Sequence, residues 1–259
     1  MNIKTKAFTL IELLVVIAII AVLMAILMPS LRAAKDHAKR IHCEHNVKTL
    51  ALGWLMYKDE NDDKLVRGHC GTIWQDDDWA HSAQAVFTLG EKLDAIKDGA
   101  LFPYVGEAVE IYRCPADERI RKLDEFCYRS FSIANGANGE DWPGTHIPAK
   151  LYSEIRSPAT KYIFIEDIDP RGDNVGSWQM DFGPISFIDP VAMWHNERTT
   201  LGFADGHSDM HRWGDRSFID WSRQAMYEGA SFQFNMTPPA DEQEDLEFLG
   251  KGFPCKSHN

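Results

Sequence analysis

The sequence predicts an α+β fold, with one very long N-terminal helix followed by a globular part of antiparallel strands and long loops. Three observations predict it. From Leu13 to Met28 every residue is Leu, Val, Ile, Ala or Met. A helical apolar stripe continues beyond that run. Near the far end, Asp205-Gly206 separates two alternating stretches, the mark of a β-hairpin.

The helix comes first. Counted from Ala7, the apolar run reaches Pro29, close to the ~20 residues that cross a bilayer. Lys4 and Lys6 precede it, and one acid, Glu12, sits near its start. A cleaved secretory signal would be shorter and would end at a small-residue cleavage site. An ordinary anchor fits the length but gives no reason for Glu12, since a carboxylate at that depth is costly without compensation. Pro29 lacks an amide hydrogen and should kink or locally open the helix. Beyond it Cys43, Val47, Leu50, Trp54 and Tyr57 recur at steps of four and three, one stripe of an amphipathic helix. Arg32, Lys35, Asp36, Lys39 and Arg40 lie on the other face. One helix is expected from about Phe8 to Lys58, ended by the acidic turn "YKDENDDK".

Composition bounds the rest. The chain has 259 residues, 44% apolar and 25% charged, ordinary for a folded protein and contrary to a mostly disordered one. The net charge of −12 works against sequence-independent binding to nucleic acid, so no nucleic-acid partner is expected. The five cysteines, Cys43, Cys70, Cys114, Cys127 and Cys255, show no CxxC spacing, which argues against a structural zinc site. One or two disulfides suit a globular part outside the cytoplasm, with at least one thiol left over.

Within that part, "YRSFSIANGANG" (128–139) reads as a strand broken at Asn-Gly, and "KYIFIEDI" (161–168) as a buried strand. The Asp205-Gly206 turn, taken as a two-residue loop with positive φ at both positions, pairs Ala204 with His207, Phe203 with Ser208 and Leu201 with Met210. Leu201, Phe203 and Met210 would then share the core face.

The segment "AFTLIELLVVIAIIAVLMAILMP" resembles the start of a type IV prepilin or pseudopilin. The resemblance implies cleavage between Ala7 and Phe8 by a prepilin peptidase, methylation of the new amine, and Glu12 as the assembly residue that pairs with the Phe8 amine of a neighbouring subunit. Ala7 departs from the family's usual Gly before the cut. "WHNERTTLGFADGH", with His195, nine residues, then Asp205, Gly206 and His207, resembles the C-terminal H-X9-DG pattern of a large group of prepilin-type proteins. "CEHNVKTLALGWLMYKDEND", "YRCPADE", "FSIANG" and "IRSPATKYIFIEDI" follow that group in order. The resemblance implies a pseudopilin-like architecture, the long helix lying on an antiparallel sheet. It divides the chain into a leader (1–7), a transmembrane or filament-core helix (8–29), its amphipathic continuation (30–58) and a globular domain (59–235); residues 236–259, rich in acids and Pro and matching little, are expected to form a surface tail.

It further implies a subunit of a type IV pilus or type II secretion pseudopilus. Its partners would be prepilin peptidase, like or related pilin subunits and inner-membrane lipid. The basic cluster Arg32–Arg40 read alone argues for a cytoplasmic domain. Lys4 and Lys6 compete with it, and the resemblance places the domain outside, on a single-pass inner-membrane anchor.

Other chemistry is thinner. Asp167, Asp169, Asp173 and Asn174, with Glu166 before them, offer hard oxygen ligands at close spacing. They suit Ca²⁺ or an ordinary solvated acidic turn, and lack the EF-hand spacing. His195, Asp205 and His207 could hold a metal only if the loop folds back; His207 and His211, four apart on a strand, are ~13 Å apart and cannot share an ion. "WQDDDW" (74–79) pairs aromatics with acids, as a carbohydrate site would, although Trp is more often core. No phosphate loop, GxSxG elbow or Cys-His nucleophile context is present, so no enzyme is expected. Two alternatives to a filament subunit follow: a membrane-tethered extracytoplasmic binding module, with carbohydrate as its candidate ligand, and a metal-dependent enzyme at the His195–His211 region.

Overall fold

The computed structural model describes residues 10–70, 75–81, 87–122, 126–140, 146–172, 175–183 and 185–258. Helix α1 (Leu10–Glu60) runs unbroken through Pro29. Pro29 has no N–H to give the carbonyl one turn back, while the neighbouring Ser30 hydroxyl donates to Leu27 O at 2.8 Å. The expected opening there is therefore not a break. The helix ends where Asp62 and Asp63 adopt positive φ (56° and 65°) and the Asp63 amide returns to Lys58 O.

Among the described residues of the globular part, three short α-helices follow: α2 (Leu89–Lys97), α3 (Arg216–Glu228) and α4 (Glu244–Gly252). The strands are β1 (Phe131–Ile133), β2 (His146–Pro148), β3 (Tyr162–Glu166), β4 (Met180–Phe182), β5 (Ile185–Phe187), β6 (Arg198–Phe203), β7 (Ser208–Arg212) and β8 (Cys255–His258). The main sheet has order β1-β3-β6-β7, all antiparallel; β2 pairs β8 and β4 pairs β5 as separate ribbons.

The main sheet is covered on both faces. All five residues of β3 are buried, as a strand between two apolar layers requires. On one face, the α1 stripe packs with Phe164, Ile133 and Phe131 in a core that includes Cys43, Val47, Leu50 and Trp54. Gly202 in β6 permits this approach, since a Cβ there would lie 2.7 Å from Val47 Cγ1. On the other face Tyr162, Ile165, Leu201 and Phe203 pack with Trp213, Phe218, Leu246, Leu249 and Phe253.

The hairpin forms, in a different register. Leu201 pairs with Asp209 and Thr200 with Met210. The Phe203 amide donates to His207 O, enclosing three residues. Of these only Gly206 has positive φ (90°), so the loop is the three-residue kind with a left-handed glycine, not the two-residue kind. One extra loop residue slides the partner strand by one and turns Met210 to the other face, away from Leu201.

The tail is a second correction. Expected as a surface segment, residues 236–259 instead supply α4 and β8, with Leu246, Leu249 and Phe253 at 1%, 0% and 0% exposure. Tyr162 OH donates to Leu249 O at 3.0 Å, tying the tail to β3.

Candidate functional site

The apolar half of α1 is bare. Every residue from Leu10 to Ala38 is exposed, and Leu10, Ile11, Ile26 and Leu31 are exposed by 70% or more. Water does not tolerate such a continuous apolar surface. The helix is long and apolar enough to cross a membrane. Glu12 lies in the first turns of this segment. Ala7 and Phe8, between which the sequence leads one to expect cleavage, lie outside the described residues.

Cys43 is the first buried residue of α1, and it opens onto a cluster drawn from four segments. Cys114 follows the short helical turn Val109–Tyr112. Glu166 ends β3. His195 lies just before β6. All four are buried, and one ligand-type atom from each lies within 4.8 Å of the others. The Cys43 thiol donates to Glu166 Oε1 at 2.9 Å. His195 Nε2 is 3.1 Å from Cys114 Sγ and 3.3 Å from Glu166 Oε1. A surrounding shell fixes these groups. The Thr200 amide donates to Glu166 Oε2 at 2.7 Å, the Thr200 hydroxyl to Cys43 Sγ at 3.4 Å, and the Ala116 amide to Cys114 Sγ at 3.4 Å. Burial, then Cys114 and Glu166, push the Cys43 thiol well above its ordinary range. Burial pulls His195 down, but its bonds to Cys114 and Glu166 outweigh it and hold the imidazole up at about 10.

The local spacing that marks zinc sites is absent from the sequence. These ligands come together only in the folded chain. In the sequence each carries a different signal: Cys43 sits on the helical stripe, Cys114 in "YRCPADE", Glu166 in "KYIFIEDI", and His195 in the H-X9-DG pattern.

The remaining candidates are dispersed. Asp205 and His207 pair with each other on the hairpin loop, where the His207 side chain is 44% exposed, while His195 is buried among other partners. Gly206 tucks the loop under α1, with a Cβ there 2.9 Å from Leu52 and Leu55 side-chain atoms. His211 stacks on Phe248 and faces Asp245 at 3.6 Å, not His207.

Of the calcium candidates, Asp167 accepts from the Ser132 hydroxyl at 2.7 Å, and Asp169 holds Arg171 through both its oxygens. Glu166 belongs to the cysteine–histidine cluster. Asp173 and Asn174 lie outside the described residues. In "WQDDDW", Trp79 is fully buried, stacked on Tyr112 and edge-on to Phe164, and Asp78 is buried against Arg67 at 3.2 Å. Trp79 is a core residue and offers no face to a sugar; Trp74 lies outside the described residues. None of the five cysteines is joined in a disulfide.

A groove of about 580 Å³ runs beside the cluster, between the polar section of α1 and the loop carrying His195, lined by Asp36, Lys39, Arg40, Ala116, Glu118 and Trp194 among others.

A family model described as the prokaryotic N-terminal methylation motif matches residues 3–28. No curated protein and no solved structure matches the chain. The match ends at Met28, so the H-X9-DG likeness rests on the residues quoted above. The motif supports a type IV pilin-like protein, and with the bare apolar helix it points to a membrane-anchored one. What this chain shares with a described family is its N-terminal segment, a prepilin-type methylation motif set on an apolar helix.

Proposed function

We propose that the chain is a structural, non-enzymatic subunit of a type IV pilus or type II secretion pseudopilus, cut by prepilin peptidase before Phe8 and assembled through the apolar half of α1. The observation that carries this reading is the methylation motif at residues 3–28, whose described part, from Leu10 on, lies on a helix half that the globular domain leaves bare. Before assembly that half sits in the inner membrane, as a single pass with the globular domain outside the cytoplasm. During assembly it moves from lipid into a bundle of like helices. Lipid is as apolar as the helices, so close packing and polar pairing drive that step more than water exclusion does. Glu12 and the Phe8 amine of the next subunit supply the polar pair and set the register between subunits. A charge pair in an apolar bundle discriminates strongly against misregistered neighbours, because a shifted subunit leaves both charges uncompensated.

Glu12→Ala tests this. The variant is expected to insert in the membrane at the native level and to form no filaments. Filaments of normal length and number from Glu12→Ala would remove the registration role. The tethered-module alternative loses one of its sugar-binding candidates to the core, since Trp79 is buried.

A further inference from the structure

The cysteine–histidine cluster has the composition and shape of a closed metal site. Two thiolates and an imidazole are soft-to-borderline donors that favour zinc over calcium or magnesium, and a carboxylate oxygen is also a zinc ligand. Bond lengths of ~2.0–2.3 Å to a central zinc put tetrahedral donors roughly 3.3–3.8 Å apart. The observed separations of 2.9 and 3.1 Å lie just below that range and the one of 3.3 Å at its lower edge, and the four ligand atoms all lie within 4.8 Å of one another, so small side-chain shifts bring the four groups to tetrahedral spacing. The backbone amides of Ala116 and Thr200, and the Thr200 hydroxyl, already donate to the sulfurs and to the second carboxylate oxygen. Such outer bonds orient ligands toward a metal. Without an ion, the same residues leave a buried Glu–His pair and two weakly bonding thiols, an arrangement that gains little against its desolvation.

We propose that Cys43, Cys114, Glu166 and His195 bind one Zn²⁺ ion that clamps α1 to the globular domain. Four protein ligands leave no open position, which is the pattern of structural sites, not catalytic ones. The position explains the purpose. Cys43 is where the bare half of α1 gives way to the packed half, and the other ligands come from the loop after Val109–Tyr112, from β3 and from the approach to β6. An ion there joins the helix directly to the central strands of the sheet, at the point where any pull on the helix reaches the domain. The groove beside Ala116 and His195 gives the ion a way in. This inference does not depend on filament assembly.

The test uses the full-length chain in detergent, purified without a polyhistidine tag. Elemental analysis is expected to give about one equivalent of zinc per chain. After chelation, Co²⁺ titrated into the unmodified chain is expected to give a thiolate-to-cobalt charge-transfer band and the intense visible bands of a tetrahedral site. Cys43→Ser and His195→Ala are expected to lose bound zinc and the charge-transfer band or its intensity; Cys70→Ser and Cys255→Ser are expected to keep both. The cobalt readout on the unmodified chain stands even if a ligand variant fails to fold. A metal-free chain with Cys43 and Cys114 joined in a disulfide would overturn the proposal. So would a chain with free thiols that takes up no Co²⁺.

Discussion

Gly202→Ala probes the seat of α1 on the sheet. A Cβ at position 202 would lie 2.7 Å from Val47 Cγ1 and 3.3 Å from both Phe164 Cβ and Val47 O. Val47 is fully buried and sits on a helix held on both sides of that point, by Cys43 and by Trp54. It cannot simply swing aside. Overpacking of this kind costs about 1–3 kcal/mol. The reduced freedom of the unfolded chain offsets about 0.4–1 kcal/mol of that, so a net loss of about 1–2 kcal/mol is expected. Val47→Ala removes the clashing methyl and on its own costs about 1–3 kcal/mol as a cavity. The two changes should therefore rescue one another. In a double-mutant cycle on the detergent-solubilised chain, read by tryptophan fluorescence in denaturant, the coupling is expected to be at least ~1 kcal/mol. Additivity within ~0.5 kcal/mol would refute the seating of α1 on β6.

Three further predictions address the domain. Asp117→Ala leaves Arg119, 5% exposed and held by both Asp117 oxygens, as a buried charge without its main partner. A loss of about 3–5 kcal/mol is expected in denaturant unfolding, and a loss under ~1 kcal/mol would show the pair to be dispensable. Asp167 is pushed up to about 6, chiefly by burial, against the bond from Ser132 that lowers it. Its folded value thus exceeds its unfolded value of ~3.9, so its contribution is complete below pH ~4 and is lost as pH rises through about 6. Asp167→Asn should gain on the native chain across that window, and an unchanged difference between pH 4 and pH 7.5 would contradict the assignment. Truncation before Glu244 strips Leu246, Leu249 and Phe253 from the core. At roughly 1.5–3 kcal/mol for each buried side chain, the shortened chain should unfold or be degraded in cells, whereas native stability would restore the view of a surface tail.

The long helix was legible because membrane hydropathy and the stripe from Cys43 to Tyr57 are both local signals. The buried strand at 162–166 was legible from its β-branched and aromatic run. The hairpin was located correctly but misregistered, because Asp-Gly serves both a two-residue turn and the end of a three-residue loop. The choice rests on whether Asp205 takes positive φ, and here only Gly206 does. In the tail, acids and prolines masked the spacing of Leu246, Leu249 and Phe253, three and four apart, which is itself a helical signal. The cluster was the least legible feature. Its ligands extend from Cys43 to His195 with no short motif between them, and only the crossing of α1 over β3 and β6 brings them together. A glutamate at the end of a fully apolar strand, Glu166, was the available clue, since a buried carboxylate demands partners.

The pilin-like reading is tested most directly by mass spectrometry of the mature amino terminus in the native host. The expected mature chain begins at Phe8 and carries one methyl group on its amine. An intact Met1, or a cut after about Ala25, would contradict it.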